Sequence, residues 1–503
     1  MFFLILASLV ALVLFYNYYW KRRNLPPGPT PLPFAGNAIE LANCVHWPDT
    51  FLKWHKQFGK VITYWMAEIP IVAVSDPKLI HKVFVKDGDC FADRFSFGVV
   101  DQLSRGGEYG ILFVDWKVAR EHRRFGLKVF RDFGVGKNQM QENILDETQT
   151  LLERIDRQRA INDDFDLFPF TDIAVGSIIN AILFGYRFTE NNKEDEFRRM
   201  KSQLQTFIDR ITHPVNRLWI ATGLMHKLPF LNRYCYALVD IYREIYDDMD
   251  KHIVEHRQQL QAEGHTTPRD YVDAYLMEAE RLKAKGEDTS GFSDLQLKGM
   301  AFDFWIAGQE TTSTTMTWGI AFLIHNPDVQ KKAHEELDRV IGSDRIINMN
   351  DKNDLPYMNA LINEVQRRSN LISENVLRVA SVDYNLEGYT IKKGQVCIAQ
   401  VSALMEDPDF FPDPKAFKPE RFLDSNGQLK KCDELLPFGV GKRSCFGEAL
   451  ARMELFLFMA NLINKYMFLP SKDSEMPILQ KWPRGSLPTM KAYKCRVVDR
   501  HQI

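Results

Sequence analysis

Cysteine is scarce in this chain: 7 in 503 residues, scattered along its length. That excludes a disulfide framework. No Asn-x-Ser/Thr sequon occurs, so nothing marks the body as glycosylated or lumenal. Net charge is nearly absent too. The 64 basic and 66 acidic side chains leave −2, which removes the global electrostatic footprint of a nucleic-acid binder. Twelve histidines yield no His-Glu-x-x-His pattern, because His334-Glu335-Glu336-Leu337-Asp338 lacks the second histidine, and a zinc enzyme of that kind is unsupported. A dinucleotide fingerprint is missing as well: Gly439-Val440-Gly441 breaks off after two glycines. There is no internal repeat and no low-complexity tract. A composition of 45% hydrophobic and 26% charged residues fits a reduced, intracellular body with one large core.

Only one long apolar run exists, Met1 to Trp20, with Asn17 its single strongly polar residue. Twenty helical residues span about 30 Å, the thickness of a bilayer's hydrocarbon layer. Lys21, Arg22 and Arg23 follow at once, beside Tyr18, Tyr19 and Trp20 at the interfacial level. The charges follow the run instead of preceding it, which favours a retained anchor over a cleaved signal peptide. The positive-inside rule then keeps the carboxyl-terminal body cytosolic. Leu25 to Pro33 carries five prolines, which fix φ and remove donors, so it reads as a stiff strut. The expected plan is an anchor at 1–20, a basic stop and strut at 21–36, and one domain at 37–503.

In that body, Val61 to Trp65 and Ile71 to Ser75 read as a hairpin, and a similar signal joins 384–391 to 395–399 around Lys392-Lys393-Gly394. Most of 77–466 carries helical periodicity. The charged stretch 256–292 reads as a solvated helix with loops. Ser293 opens a helix of about 33 residues with a capping-box start, Ser293-x-x-Gln296, stopped by Asn326-Pro327. The fold class is mostly α with small β-sheets, an α+β arrangement.

Phe438-Gly439-Val440-Gly441-Lys442-Arg443-Ser444-Cys445-Phe446-Gly447 is the strongest signal. It fails as a phosphate-binding loop, which needs glycine at Leu436 and Ser or Thr at Arg443. Cys445 falls just before an apolar helix, Glu448 to Lys465, whose amino terminus favours a thiolate. Arg443 suits a carboxylate. A thiolate in a glycine-rich loop beside an arginine fits an axial haem ligand near a propionate. The segment resembles the haem-binding signature of the cytochrome P-450 family at Phe438, Gly439, Gly441, Arg443, Cys445 and Gly447.

The resemblance extends along the chain. Glu364-x-x-Arg367 followed by Pro419-Glu420-Arg421-Phe422 matches the family's structural pair of motifs and implies a buried Glu364–Arg367–Arg421 network. Ala307-Gly308-Gln309-Glu310-Thr311-Thr312 matches the oxygen-activation motif. There Gly308 would leave room for dioxygen, Thr311 would offer a hydroxyl, and Glu310 would relay protons. Trp116 to Phe125 resembles a propionate-contacting helix in two registers, leaving Trp116 with Arg120, or Arg123, as the contact. Arg378 matches a further propionate partner, although Leu377 departs from the family pattern.

These matches imply the cytochrome P-450 fold, haem b held by Cys445, and monooxygenation of a lipophilic substrate such as a fatty acid, eicosanoid, steroid or xenobiotic. They also imply NADPH electrons through the family's flavoprotein reductase, cytochrome b5 as a second donor, and an endoplasmic reticulum membrane location. A basic face of Arg120, Arg123, Arg124, Lys128, Arg131 and Lys442 is available for docking. Substrate contacts are expected in 96–113, 203–219, 302–311, 376–380 and 483–487. A haem-thiolate isomerase and a non-catalytic haem-binding protein are the two other readings that share the cysteine motif; the acid–alcohol pair Glu310–Thr311 favours dioxygen activation over the first.

Overall fold

Thirty-two consecutive helical residues, Asp294–His325, run through the middle of the body and are buried along nearly their whole length. This computed structural model describes residues 1–44, 47–135, 138–190, 193–264, 266–372, 375–479 and 490–502. Helix α1 is Phe2–Tyr18. The helices that frame the site are α2 (Val99–Arg105), α3 (Trp116–Asp132), α4 (Asn138–Ile161), α5 (Phe168–Phe184), α6 (Glu194–Ile211), α7 (Asn232–Glu263), α8 (Tyr271–Ala284), α9 (Asp294–His325), α10 (Pro327–Val340), α11 (Pro356–Ser369) and α12 (Glu448–Lys465). The expected ends of α9 and α12 agree with those found. Ser293 caps α9 by accepting the Gln296 amide at 3.2 Å. The reciprocal half of the capping box is missing: the Gln296 side chain instead clasps both the N–H and the C=O of Gly110.

A helix survives burial only if its apolar surface wraps around it. Helix α5 does so, with Ile173, Val175, Ile178, Ile182 and Leu183 all buried. It lies between α9 and α4, and α11 and α12 pack on α9. Helix α8 departs from the solvated helix expected for 256–292, since Tyr271 to Leu276 are buried against α3, α5, α7 and α9. Its charges misled because Asp270 and Asp273 are spent internally, Asp270 as the amino-terminal cap and partner of His256, Asp273 as the partner of Arg269.

The main sheet has strand order β1-β2-β8-β5-β3, from β1 (Val61–Met66), β2 (Ile69–Val74), β3 (Asp93–Arg94), β5 (Arg378–Val379) and β8 (Val396–Ala399). The first hairpin forms as expected, with Val61 opposite Val74. The second does not. Strands β6 (Tyr384–Leu386) and β7 (Tyr389–Ile391) pair with each other. Residues Glu387 and Gly388, both at positive φ, make the tight turn. Strand β8 leaves to lie parallel beside β2. A third sheet orders β4 (Asp164–Phe165), β10 (Cys495–Asp499) and β9 (Tyr466–Pro470).

The apolar helix and its extension, Phe2–Arg22, have mean hydropathy 2.0 and stand outside the body. The strut does not hang free. Pro26, Gly28, Pro29 and Pro31 are buried, the Thr63 amide donates to the Pro27 carbonyl at 2.9 Å, and a side chain at Gly28 would collide with the Thr63 carbonyl. Lys21 pairs with Glu68 at 2.8 Å, and Asn17 donates to the Pro31 carbonyl at 2.7 Å. The proline segment is therefore the first layer of the body, which begins before residue 37.

Candidate active site

The cysteine loop is held by its own backbone. The Cys445 amide donates to the Phe438 carbonyl at 2.8 Å and the Ser444 amide to the Gly441 carbonyl at 2.9 Å. Gly441, at φ +70°, lies so close to Phe84 that a Cβ would overlap the Phe84 carbonyl oxygen, so glycine is required there. Cys445 is solvent-accessible, yet packed protein raises its thiol above the ordinary range. Together these mean that the sulfur faces an opening enclosed by the fold. Burial outweighs the amide of Gly447 and the cation of Arg123, which pull the other way. Burial thus opposes the thiolate that the helix terminus favours, and a bound metal would tip the balance, since ligation removes the thiol proton.

Four arginines converge beside this loop. Arg443 is buried, donates to the Val114 carbonyl at 2.8 Å, and lies over the Trp116 ring at 5.9 Å. Arg378 donates to the Val440 carbonyl at 2.6 Å and covers the Phe84 ring at 4.9 Å. Arg123 donates to the Ser444 carbonyl at 2.9 Å. Arg94, which the sequence analysis missed, reaches the Val376 carbonyl at 2.7 Å. Arg94 and Arg378 stand directly opposite each other across β3 and β5, where like charges repel. None of the four forms an ion pair among the described residues, and Arg94 Nε, Arg378 Nη1 and Arg443 Nη1 are buried without a partner. Burial, with the neighbouring guanidiniums, lowers Arg378 to about 9 and Arg443 to about 10. Arg94 is lowered as well, with Arg443, Arg378 and Arg123 adding to the burial. Such a cluster demands a buried anion. A metal macrocycle with two carboxylates beside a cysteine sulfur fits this donor set: haem.

The two candidate arginines on α3 are placed differently. Arg120 is exposed, whereas Arg123 turns inward to the loop and lies over Phe446 at 5.6 Å. Trp116 supports Arg443 and ties its own amide to Asp93 at 2.9 Å. The departure at Leu377 does not displace Arg378. The docking face shrinks: Arg123 is turned inward and Lys442 pairs with Asp89, leaving Arg120, Arg124, Lys128 and Arg131 exposed on α3.

On α9, Ile306, Ala307, Gly308, Thr311, Thr314 and Thr317 remain partly accessible within the largely buried middle of the helix. They mark the side that borders the opening. Thr311 Oγ1 donates to the Ala307 carbonyl at 2.7 Å. Gly308 has a further reason to be glycine: a Cβ there would press on Ile179 of α5 at 3.0 Å, so its bareness also lets the two helices close. Glu310 meets a partner that the sequence does not reveal. Lys201 of α6 donates to Glu310 at 2.5 Å and to Asp172 of α5 at 2.9 Å, and Gln309 holds Asp172 from α9 at 2.7 Å. Burial works against the Lys201 charge, but the Asp172 and Glu310 carboxylates hold the ammonium protonated.

The structural network assembles as expected. Arg367 reaches Glu364 with Nε at 2.8 Å and Nη2 at 2.9 Å, and Arg421 joins at 3.2 Å. Both side chains of the central pair are fully buried. Arg367 also binds the Met405 and Pro414 carbonyls, and Arg421 the Pro412 carbonyl, pinning the irregular segment that leads to the cysteine loop. Among the expected substrate-contact segments, Phe97 packs on Phe113 at 4.7 Å and Phe207 on Phe302 at 5.3 Å; residues 483–487 lie outside the described residues.

Comparison with known proteins supplies the family. Residues 26–496 match the family profile described as Cytochrome P450. The chain is 34% identical over 474 residues to Cytochrome P450 2A10 of Oryctolagus cuniculus, covering 92% of each chain. It is 34% identical over 481 residues to Cytochrome P450 2A4 of Mus musculus, covering 94% of each. It is also 34% identical over 453 residues to Cytochrome P450 2C23 of Rattus norvegicus, covering 88% of this chain and 87% of the relative. The chain belongs to the cytochrome P450 family, as a membrane-associated haem-thiolate monooxygenase that takes NADPH electrons through a reductase.

Proposed function

We propose that this protein oxygenates a lipophilic small molecule at a site built from Cys445, four arginines and the Ala307–Thr312 turn of α9. The observation that carries the reading is the cluster of four guanidiniums, three of them buried and none in an ion pair among the described residues, beside an accessible cysteine. Cys445 would hold the haem iron through its sulfur. Arg94, Arg123, Arg378 and Arg443 would bind the two propionates, with Trp116 backing Arg443 and Phe438 and Gly439 shaping the loop. When bound, haem supplies the redox chemistry that splits dioxygen, placing one atom in the substrate and the other in water.

The chain's own contribution is position and protons. Thr311, at rest on the Ala307 carbonyl, has a hydroxyl free to turn into the opening, where it can hold a water or donate a hydrogen bond. Glu310, ion-paired with Lys201, acts as a carboxylate that accepts a proton from outside and passes it inward once the ammonium lets go. Phe97, Phe113, Phe207 and Phe302 supply apolar walls, which favour a substrate that partitions into lipid. The Glu364–Arg367–Arg421 network fixes the approach to the loop and takes no part in proton transfer. The anchor would make a single pass through the endoplasmic reticulum membrane with the body cytosolic, and the exposed cations of α3 would meet the acidic surface of the reductase or of cytochrome b5.

The test is the absorption spectrum of the reduced, carbon-monoxide-bound protein and of Cys445→Ala. A strongly red-shifted Soret band that vanishes in the variant is expected. A histidine-type band, or no haem in either protein, would overturn the reading.

A further inference from the structure

Where the anchor meets the body, a cavity of about 250 Å³ opens between Tyr18, Tyr19, Arg22 and Arg23 on one side and Thr63 and Trp65 of β1 on the other, with residues 25–28 along its edge. It is smaller than the roughly 300–1,000 Å³ of a site for a whole drug-sized molecule and has the scale of a single head group. The apolar run Phe2–Arg22 is 21 residues long. At 1.5 Å each that is about 30 Å, the hydrocarbon thickness of a bilayer, so a cavity at its carboxyl end lies level with lipid phosphates. Thr63 and Trp65, two apart on β1, project to the same face of the strand. Thr63 is 2% exposed, and its hydroxyl has no hydrogen-bond partner. A buried hydroxyl left in that state is costly, and an acceptor entering the cavity would satisfy it.

The rim is cationic. Arg22 is steadied by the Gly28 carbonyl at 3.1 Å and the Thr30 hydroxyl at 3.4 Å, which leaves donors of its guanidinium for an incoming anion. Neither Arg22 nor Arg23 forms an ion pair among the described residues, whereas Lys21 is matched by Glu68. The aromatic faces are already covered: Lys21 lies over Trp65 at 4.5 Å, and Arg23 over Tyr19 at 5.9 Å and Trp20 at 4.9 Å. A choline-type cation would find those faces taken and like charges beside them. A phosphate would find guanidiniums and a hydroxyl.

We propose that this cavity binds the phosphate of an anionic phospholipid from the leaflet on the body's side, with Arg22 and Arg23 holding its oxygens and the Thr63 hydroxyl donating to it. Position selects a lipid over a soluble phosphate ester, because the exposed apolar side chains of α1, Leu14 and Phe15 among them, begin at once and give acyl chains a path. A lipid seated there clamps the anchor, the proline segment and the β1 edge into one unit. The site lies apart from the cysteine loop and needs only that α1 lies in a membrane, so it stands or falls independently of the oxygenation chemistry.

The test uses the full-length protein in phosphatidylcholine nanodiscs that carry a minority of spin-labelled lipid, either phosphatidate or phosphatidylcholine; the immobilised fraction of label gives the relative affinity. Wild type should prefer phosphatidate. Arg22→Gln should lower that preference about fivefold or more, the contribution of one arginine at an anionic surface being about fivefold. Thr63→Val alters no charge and keeps the volume, so generic surface attraction does not feel it; it should lower the preference about threefold, the effect of one neutral hydrogen bond. Arg22→Gln, on the half-exposed rim, tests the same preference if Thr63→Val fails to fold. Inorganic phosphate added to the buffer should not displace the labelled phosphatidate. Equal affinity for the two lipids would overturn the site. A preference that survives Thr63→Val in the folded variant, or Arg22→Gln, would reduce it to attraction between a basic segment and a charged surface, and displacement by inorganic phosphate would overturn the lipid as its occupant.

Discussion

Removing one arginine from the cluster should stabilise the chain without haem and weaken it with haem. Take Arg378→Met. Burial, with Arg443 and Arg123 behind it, drops Arg378 from 12.5 to about 9, which corresponds to about 5 kcal/mol held against the charged side chain at neutral pH. Because the folded value is depressed for a base, that cost is complete at pH 7 and is relieved only as pH rises past about 9. Methionine keeps the volume and removes the charge. It also forfeits the hydrogen bond to the Val440 carbonyl, about 2 kcal/mol for a charged donor, and the contact with the Phe84 ring, about 1–2 kcal/mol when desolvated. The haem-free variant should come out about 1–2 kcal/mol more stable. With haem the sign reverses. A lost guanidinium–carboxylate contact costs about 1.5–3 kcal/mol, or roughly 10- to 150-fold in haem affinity. Urea denaturation of the two proteins with and without haem, together with the rate of haem transfer to a scavenger, measures both halves. A haem-free Arg378→Met less stable than wild type, or one that holds haem equally well, would refute the argument that the cluster is electrostatically incomplete without the group.

Glu364→Gln leaves Arg367 buried with an uncompensated charge and should cost about 3–5 kcal/mol, visible as a lowered thermal midpoint and poor haem incorporation on expression. Lys201→Met leaves Asp172 and Glu310 facing each other without a cation and should cost a similar amount; acidic pH or a second change, Glu310→Gln, should restore most of it in a melting series. Glu147, with one carboxylate oxygen unpartnered, is raised by burial to about 8. Stability tied to it is complete below about pH 4.5 and is lost as pH rises toward 8. Glu147→Gln should therefore gain at least about 1 kcal/mol at pH 8 and little at pH 5, read by denaturation at the two values.

Much of the site could be read from local spacing. The cysteine loop, the capped start and proline stop of α9, and the Glu364-x-x-Arg367 pair are short-range patterns whose geometry follows from neighbouring residues. Arg94 was missed because a two-residue strand carries no periodic signal, and its meaning comes from lying opposite Arg378, 284 positions away. Lys201 was missed for the same reason: its position on an amphipathic helix reads as a solvated charge until α5 and α9 bring Asp172 and Glu310 to it. The second hairpin was mispaired because Glu387-Gly388 is a tighter turn than the Lys392-Lys393-Gly394 run that drew attention. The buried face of α8 was hidden by charges that cap and pair internally. In each case the missing information is a contact between elements far apart in sequence.

The proline segment also fixes where the anchor can be cut away. Thr63 hydrogen-bonds Pro27, Gly28 fits beneath the Thr63 carbonyl, and Leu32 and Gly36 bridge to each other and on to Met66. A soluble version that begins at Leu25 keeps this outer layer, whereas one that begins at residue 37 strips a strip of backbone off the β1 edge and uncovers a template for aggregation. The seam between membrane and enzyme therefore lies on the amino-terminal side of the prolines, and the prolines belong to the enzyme.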